Sequence, residues 1–488
     1  MARRTKLALT FALTGALLAA GAPRASAQTR TPGTPTPRPD PGDPASELAA
    51  KAKADVARGD LTAAASDYAA AVRAAPRNAR LRIAYGNVLL GQHDYAAAIV
   101  QFSEAERLAP ASVDAAVGLA TAYRGAHNYD EAKQTLEAAN KAHPSSSAPL
   151  AELGDLEIEL QAYDAAIAHL KAAVALAPAS VQTRERLMVA YKAKGDADDA
   201  LAQASALIAH DMGNALAHYT RAQIYSDRSQ DTLARKDAEV VVKLQPQNRR
   251  GRALLGKILL RAPEGETPEG EKARCEEAVE TLEPLNADPA APADSDALFL
   301  LARAYHCAGD TEKADAMNSA FEKSSKQDRA DKENQTQAKH LVQQAEEQAQ
   351  KNDLAGSLAT VQRAIDLDPT YGAAYSQLAK IYYSQGDLEQ ASQAIAKALA
   401  RDANQPDYLY VRGRIYERQG KFDEALADFA RTVAIDPKES DAYFEMGQIY
   451  ERQGKLADAE QAYANAVRIA PDDPDYKTAL ERAKAGAH

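Results

Sequence analysis

Two stretches, IYERQGKFDEALADF at 415–429 and IYERQGKLADAEQAY at 449–463, are near copies set 34 residues apart. The same interval separates Pro76, Pro110, Pro144 and Pro178, skips Met212, and returns at Pro246. It recurs at Pro369, Pro437 and Pro471, with Ala403 in the intervening slot. A 34-residue period is the mark of a helix–turn–helix array. One such unit cannot bury its own apolar face, so stability has to come from stacking on its neighbours.

The positions between the prolines agree with one another. The unit from Ala79 carries Gly86, Ala98, Phe102, Ala105 and Pro110. The unit from Val113 carries Leu119, Ala120, Tyr123, Ala132, Leu136, Ala139 and Pro144. The unit from Ser147 carries Leu150, Leu153, Gly154, Ala166, Leu170, Ala173 and Pro178. Small residues at the eighth and twentieth positions let two antiparallel helices approach, and larger ones at the eleventh and twenty-fourth fill the gaps. Turns such as Gly386-Asp387 and Asn128-Tyr129 are expected to stop the first helix. This pattern resembles the tetratricopeptide repeat family, which implies an all-α, right-handed α-α superhelical solenoid. Units start at Ala45, Ala79, Val113, Ser147, Val181, Ala215, Arg249, Ser295, Ala338, Gly372, Pro406 and Ser440, twelve in all.

The chain has 488 residues, no Trp, a net charge of -11 and 45% hydrophobic residues, which excludes wholesale disorder. The first 27 residues contribute four bases and no acid, so the remainder stands at -15 and lacks the basic balance of a nucleic-acid binder. Those residues read as a signal peptide. Arg3, Arg4 and Lys6 precede an uncharged apolar run, Leu7 to Ala22, and Ala25-Ser26-Ala27 offers small residues for cleavage after Ala27. The expectation is a periplasmic or secreted protein with no transmembrane span after cleavage. Residues 28–44, with six prolines, read as an unfolded spacer.

The array then divides. An N-terminal array covers 45–282, its last unit carrying an insertion, APEGETPEGEK at 262–272, between its two helices. An irregular connector, 283–337, holds one unit from Ser295 and the charged stretch 322–337. A C-terminal array at 338–473 ends in a capping helix within 474–488.

Catalytic signatures are missing. Gly251–Ile258 approaches a P-loop but has Ile258 where a hydroxyl must hold magnesium, and Gly256 falls at the packing position of a helix. Neither H-E-x-x-H nor G-x-S-x-G occurs. His93 and His127 share a turn position in successive units, one repeat apart, and do not converge on a metal. The reading is a non-enzyme without cofactor or metal. Cys275 and Cys307 fall at similar heights on neighbouring antiparallel helices, which admits a disulfide in an oxidising compartment; two separate buried thiols are the alternative.

The resemblance further implies that the first helix of each unit lines the concave face through its second, fifth, ninth and twelfth residues. In the C-terminal array these positions include Lys380, Tyr383, Tyr410, Arg414, Phe444 and Gln448, the candidate partner-binding groove. The clamp that binds chaperone tails in this family is absent, since Ile83, Gly118 and Gln182 stand at three of its positions. The expected function is a non-catalytic protein–protein scaffold or adaptor of the bacterial cell envelope. The alternative is a subunit of an exopolysaccharide export, outer-membrane assembly or secretion complex, with polysaccharide contact hinted at only by Tyr410, Phe444, Asp407 and Asp441.

Overall fold

A computed structural model describes residues 44–263, 265–287 and 294–486. The segments read as a signal peptide and as a linker, apart from Pro44, lie outside the described residues. Among these residues there are 24 α-helices, one short 3-10 helix at Glu283–Asn286, and no strand. The helices pair as a right-handed solenoid of twelve units, closed by the helix Pro474–Gly486.

Each pair is set by one contact. A Cβ built on Gly86 would lie 2.7 Å from the ring of Phe102, which projects from the second helix of the same unit. The same relation, at under 3.0 Å, holds for Gly154 with Leu170, Gly256 with Leu282, Gly413 with Phe429 and Gly447 with Tyr463. These five large side chains are all fully buried. They are the eighth and twenty-fourth positions, except that the insertion moves Leu282 further along its unit, so the second helix rests a bulky group on bare backbone of the first. Where the eighth residue is larger, the partner shrinks: Ala120 goes with Leu136, and Met188 with Ala204. In the first unit, with a neighbour on one side only, Ala52 goes with Tyr68.

The turn between paired helices needs one left-handed residue. Glycine supplies it at Gly59, Gly195, Gly309, Gly386, Gly420 and Gly454, but His93, Gln161, Ser229, Asn352 and, at φ 62, His127 take it elsewhere. The break expected at Asn128-Tyr129 therefore falls one residue earlier. His93 and His127 are exposed, and each Nδ1 lies 2.8 Å from the hydroxyl of the tyrosine two residues on. The following residue often caps the second helix, as where Asp94 Oδ1 accepts from the Ala97 amide at 3.2 Å.

Two stretches that interrupt the repeat phase take part in helices. Half of the 262–272 insertion forms the start of the helix Pro268–Leu282, because Thr267 caps it by accepting from Gly270 at 3.1 Å. The buried Arg274 ties the rest down by donating to Glu266 at 2.9 Å and to the Leu259 carbonyl. The charged stretch 322–337 belongs to one 40-residue helix, Thr311–Gln350. Its Lys, Glu, Gln and Ala content favours helix without needing burial, and it is largely exposed. The ends of this helix serve two units, so the array passes through the connector without a break. Cys275 and Cys307 are bonded beside the insertion, their Cα atoms 5.5 Å apart.

The solenoid also returns on itself. The turns of the second and third units meet the tenth and eleventh units, eight units further along. Arg431 reaches Asp94 at 2.6 Å, and Asn404 donates to the His93 carbonyl at 2.6 Å while accepting from the Ala96 amide at 3.2 Å. Asn128 donates to the carbonyl of Ile435. Beneath these bonds one apolar cluster joins Leu89, Ala96 and Ile99 to Leu399, Leu409 and Ile435.

The glycine contact yields a direct prediction. Gly413→Ala should destabilise the chain by about 1–3 kcal/mol, because Phe429 has no space to yield. Adding Phe429→Leu, which reproduces the Ala120–Leu136 pairing of the third unit, should recover most of the loss in thermal midpoint. A single variant as stable as the wild type would show that the close approach is not required.

Candidate protein-binding face

First helices of successive units lie against one another along nearly the whole array, whereas second helices are spread apart. The first helices therefore form the inner curve, and their outward-facing residues line a continuous concave surface. Among the described residues no helix is long and apolar enough to cross a membrane, and no group of three His, Cys, Asp or Glu could hold a metal ion. The P-loop-like stretch lies within the helix Arg249–Leu259 and its turn, with Gly256 against Leu282.

In the C-terminal array the structure brings Tyr383, Tyr410 and Arg414 together. Arg414 donates to the hydroxyls of Tyr383 and Tyr410, each at 3.2 Å, and pairs with Glu445 at 3.0 Å. Burial pushes the Tyr410 hydroxyl well above its ordinary pKa, and its ring packs 5.7 Å from that of Phe429. Lys380 pairs with Asp407 of the next unit at 3.1 Å. Phe444 stacks 4.9 Å from Tyr476 of the final helix and 5.6 Å from Tyr463, so it anchors the cap. Gln448 and Tyr383 are half-buried on the inner side. Most of these groups are thus engaged with neighbouring units.

A second network occupies the N-terminal part of the groove. Arg186 contacts Glu152 at 2.9 Å and Asp155 at 3.2 Å, and Arg124 reaches the same two acids at 3.5 and 3.8 Å. Burial dominates at Asp155, outweighing both guanidinium groups, and with Glu152 beside it the carboxyl is pushed up to about 6.

Within units, a cation at the seventh position clips an acid at the twenty-third. Lys51 holds Asp67 at 3.0 Å, while Arg221 and Arg412 make paired bonds to the buried Asp237 and Asp428. These clips were missed from sequence, although a basic and an acidic residue sixteen apart in repeat phase is a readable signal. Also missed was the middle of the groove. Arg250 and Lys257 on the helix Arg249–Leu259, and Arg303 on Ser295–Cys307, are exposed and make no ion pair among the described residues.

The Asp155 environment carries a pH signature. A carboxyl raised above its ordinary 3.8 favours the folded state below that value, and the contribution is lost as pH rises toward about 6. Asp155→Asn should therefore lose less thermal stability than wild type between pH of about 4 and 7. Parallel melting-temperature profiles would contradict this assignment.

With the geometry in place, comparison with known proteins gives a consistent result. Two family models, both described as tetratricopeptide repeat, match: one at residues 49–113 and 410–474, the other at 89–153 and 348–415. No curated protein matches the sequence. Similar solved structures include a tetratricopeptide repeat protein from Parabacteroides merdae, 21% identical over 54% of this chain and 99% of that one, with a TM-score of 0.41. YrrB, described as a TPR protein with an unusual peptide-binding site, is 23% identical over 38% of this chain and 95% of its own, at 0.31. The Cut9–Hcn1 assembly of APC/C is 12% identical over 90% of this chain and 96% of that chain, at 0.33. With the 34-residue period, the helix pairs and both family models in agreement, the chain belongs to the tetratricopeptide repeat family.

Proposed function

We propose that this chain is a non-catalytic scaffold that binds partner proteins, or peptide segments of them, along its concave face in the bacterial cell envelope. The observation that carries the reading is the inner surface itself. First helices stacked along nearly the whole array present one curved face whose side chains come from successive units, the arrangement that lets a repeat protein hold an extended ligand. Export rests on the basic, apolar and small-residue segments of residues 1–27. Lys380, Tyr383, Tyr410, Arg414, Phe444 and Gln448 remain the C-terminal end of the proposed groove. Gln448 is its more available member, and Phe444 supports the cap.

A photo-crosslinking amino acid placed at Lys380 or Gln448, on the inner curve, should trap partner proteins from the envelope. The same probe at Glu137, exposed on a second helix, should not. The protein recovered from the periplasm should begin at Gln28. Trapping only from the outer position would overturn the groove assignment, and a retained cytoplasmic chain beginning at Met1 would overturn the envelope assignment.

A further inference from the structure

The groove is not chemically uniform. Toward both ends several of its cations are neutralised within the protein: Arg124 and Arg186 by Glu152 and Asp155, Lys380 by Asp407, Arg414 by Glu445. The acids reaching Lys380 and Arg414 come from the second or sixth position of the following unit. In the middle this device fails. The unit after Arg303 offers Lys339 and Gln343 at those positions, and the unit after Lys257 offers Asp296 and Leu300. Asp296 makes no ion pair with Lys257 among the described residues, and Arg250 likewise has none.

Apolar surface accompanies these cations. Phe299 is 46% exposed and Leu216 39% exposed, although both stand on inner helices. Arg303 lies 5.8 Å over the ring of Phe299, which tilts against Phe321 at 5.7 Å. Arg250 sits close enough to Tyr219 to oppose the rise that burial causes in its pKa. Successive inner helices touch, so Leu216, Arg250, Lys257, Phe299 and Arg303 form one strip across three units.

We infer that this strip, in the sixth to eighth units, docks an acidic peptide segment of a partner protein, with carboxylates on Arg250, Lys257 and Arg303 and an apolar side chain against Phe299. The inference rests on the scaffold reading and names its ligand class. Charge complementarity carries it: in a chain of net charge -11, three exposed cations that make no ion pair among the described residues cluster beside exposed apolar carbon. Touching helices lie about 10 Å apart, so the strip spans about 20 Å. About six extended residues cover that distance. A peptide suits it better than an acidic polysaccharide, because one face of Phe299 already carries Arg303 and leaves the ring less open to sugar stacking.

The test uses the full chain and a fluorescent peptide of about 14 residues in which Glu alternates with Leu and Phe, followed by anisotropy. Control peptides replace every Glu by Gln or by Lys. The Glu peptide should bind, the Gln and Lys peptides should not, and added salt should weaken binding. Lys257→Glu/Arg303→Glu should weaken binding at least about tenfold, whereas Lys133→Ala, exposed on the second helix Tyr129–Ala142, should leave it unchanged. Circular dichroism checks the double variant, and Arg250→Gln provides a milder second one, expected to lose affinity in the same direction. Equal binding of the Gln peptide, or indifference to the charge reversals, would overturn the inference. So would binding of alginate, an acidic polysaccharide, in place of the peptide. If the peptide fails while inner-face crosslinking still traps partners, the scaffold reading stands and this ligand class alone is wrong. If crosslinking fails as well, both fall.

Discussion

The structure depends on one steric relation repeated along the chain. A large side chain from the second helix of a unit rests on the backbone of the first at a residue with little or no side chain. Gly86 under Phe102 and Gly413 under Phe429 are the plainest cases, and in the fifth unit the sizes are exchanged, with Met188 over Ala204. Interiors packed at this density transmit small changes in spacing. Because each unit is spaced by the same contact, the angle between successive units accumulates regularly. After eight units the solenoid meets its own second and third units.

That spacing also decides which polar groups are available. Between units, the inner helices are near enough for a side chain at the ninth position to reach an acid on the next helix, as Lys380 reaches Asp407 and Arg414 reaches Glu445. Within units, Arg221 and Arg412 reach Asp237 and Asp428, both buried. Removing one partner of such a pair strands a buried charge, which makes these sites costly to alter and poorly suited to binding a ligand. Binding capacity is left where the pairing pattern lapses, around Lys257 and Arg303.

Much of the fold was legible because it is local. Period, helix pairing, packing glycines and unit count all follow from residues within one 34-residue window. What escaped is of three kinds. The left-handed residue at His127 was misplaced by one position, since non-glycine residues adopt that conformation only when the flanking helices demand it. The charged stretch 322–337 interrupts the repeat phase, and only its continuity with the preceding helix from Thr311 escaped, because its exposed composition carries no packing signal to mark where a unit ends. The contact of Asn404 with His93 joins residues 311 apart, and no pattern within a unit encodes it. The groove was half legible: its positions could be counted off, but whether Arg414 is free or engaged depends on Glu445 in the next unit.

The central claim is that regular stacking carries the array round until it closes through Asp94, Asn404 and Arg431. The most direct measurement places spin labels at Asp130 and Asp402, both exposed beside the contact, and reads their separation by pulsed electron resonance in solution. The closed solenoid predicts one short and narrow distance distribution, broadened when Arg431 is replaced by Ala. A long, broad distribution in the native chain would contradict the account and leave an open superhelix in its place.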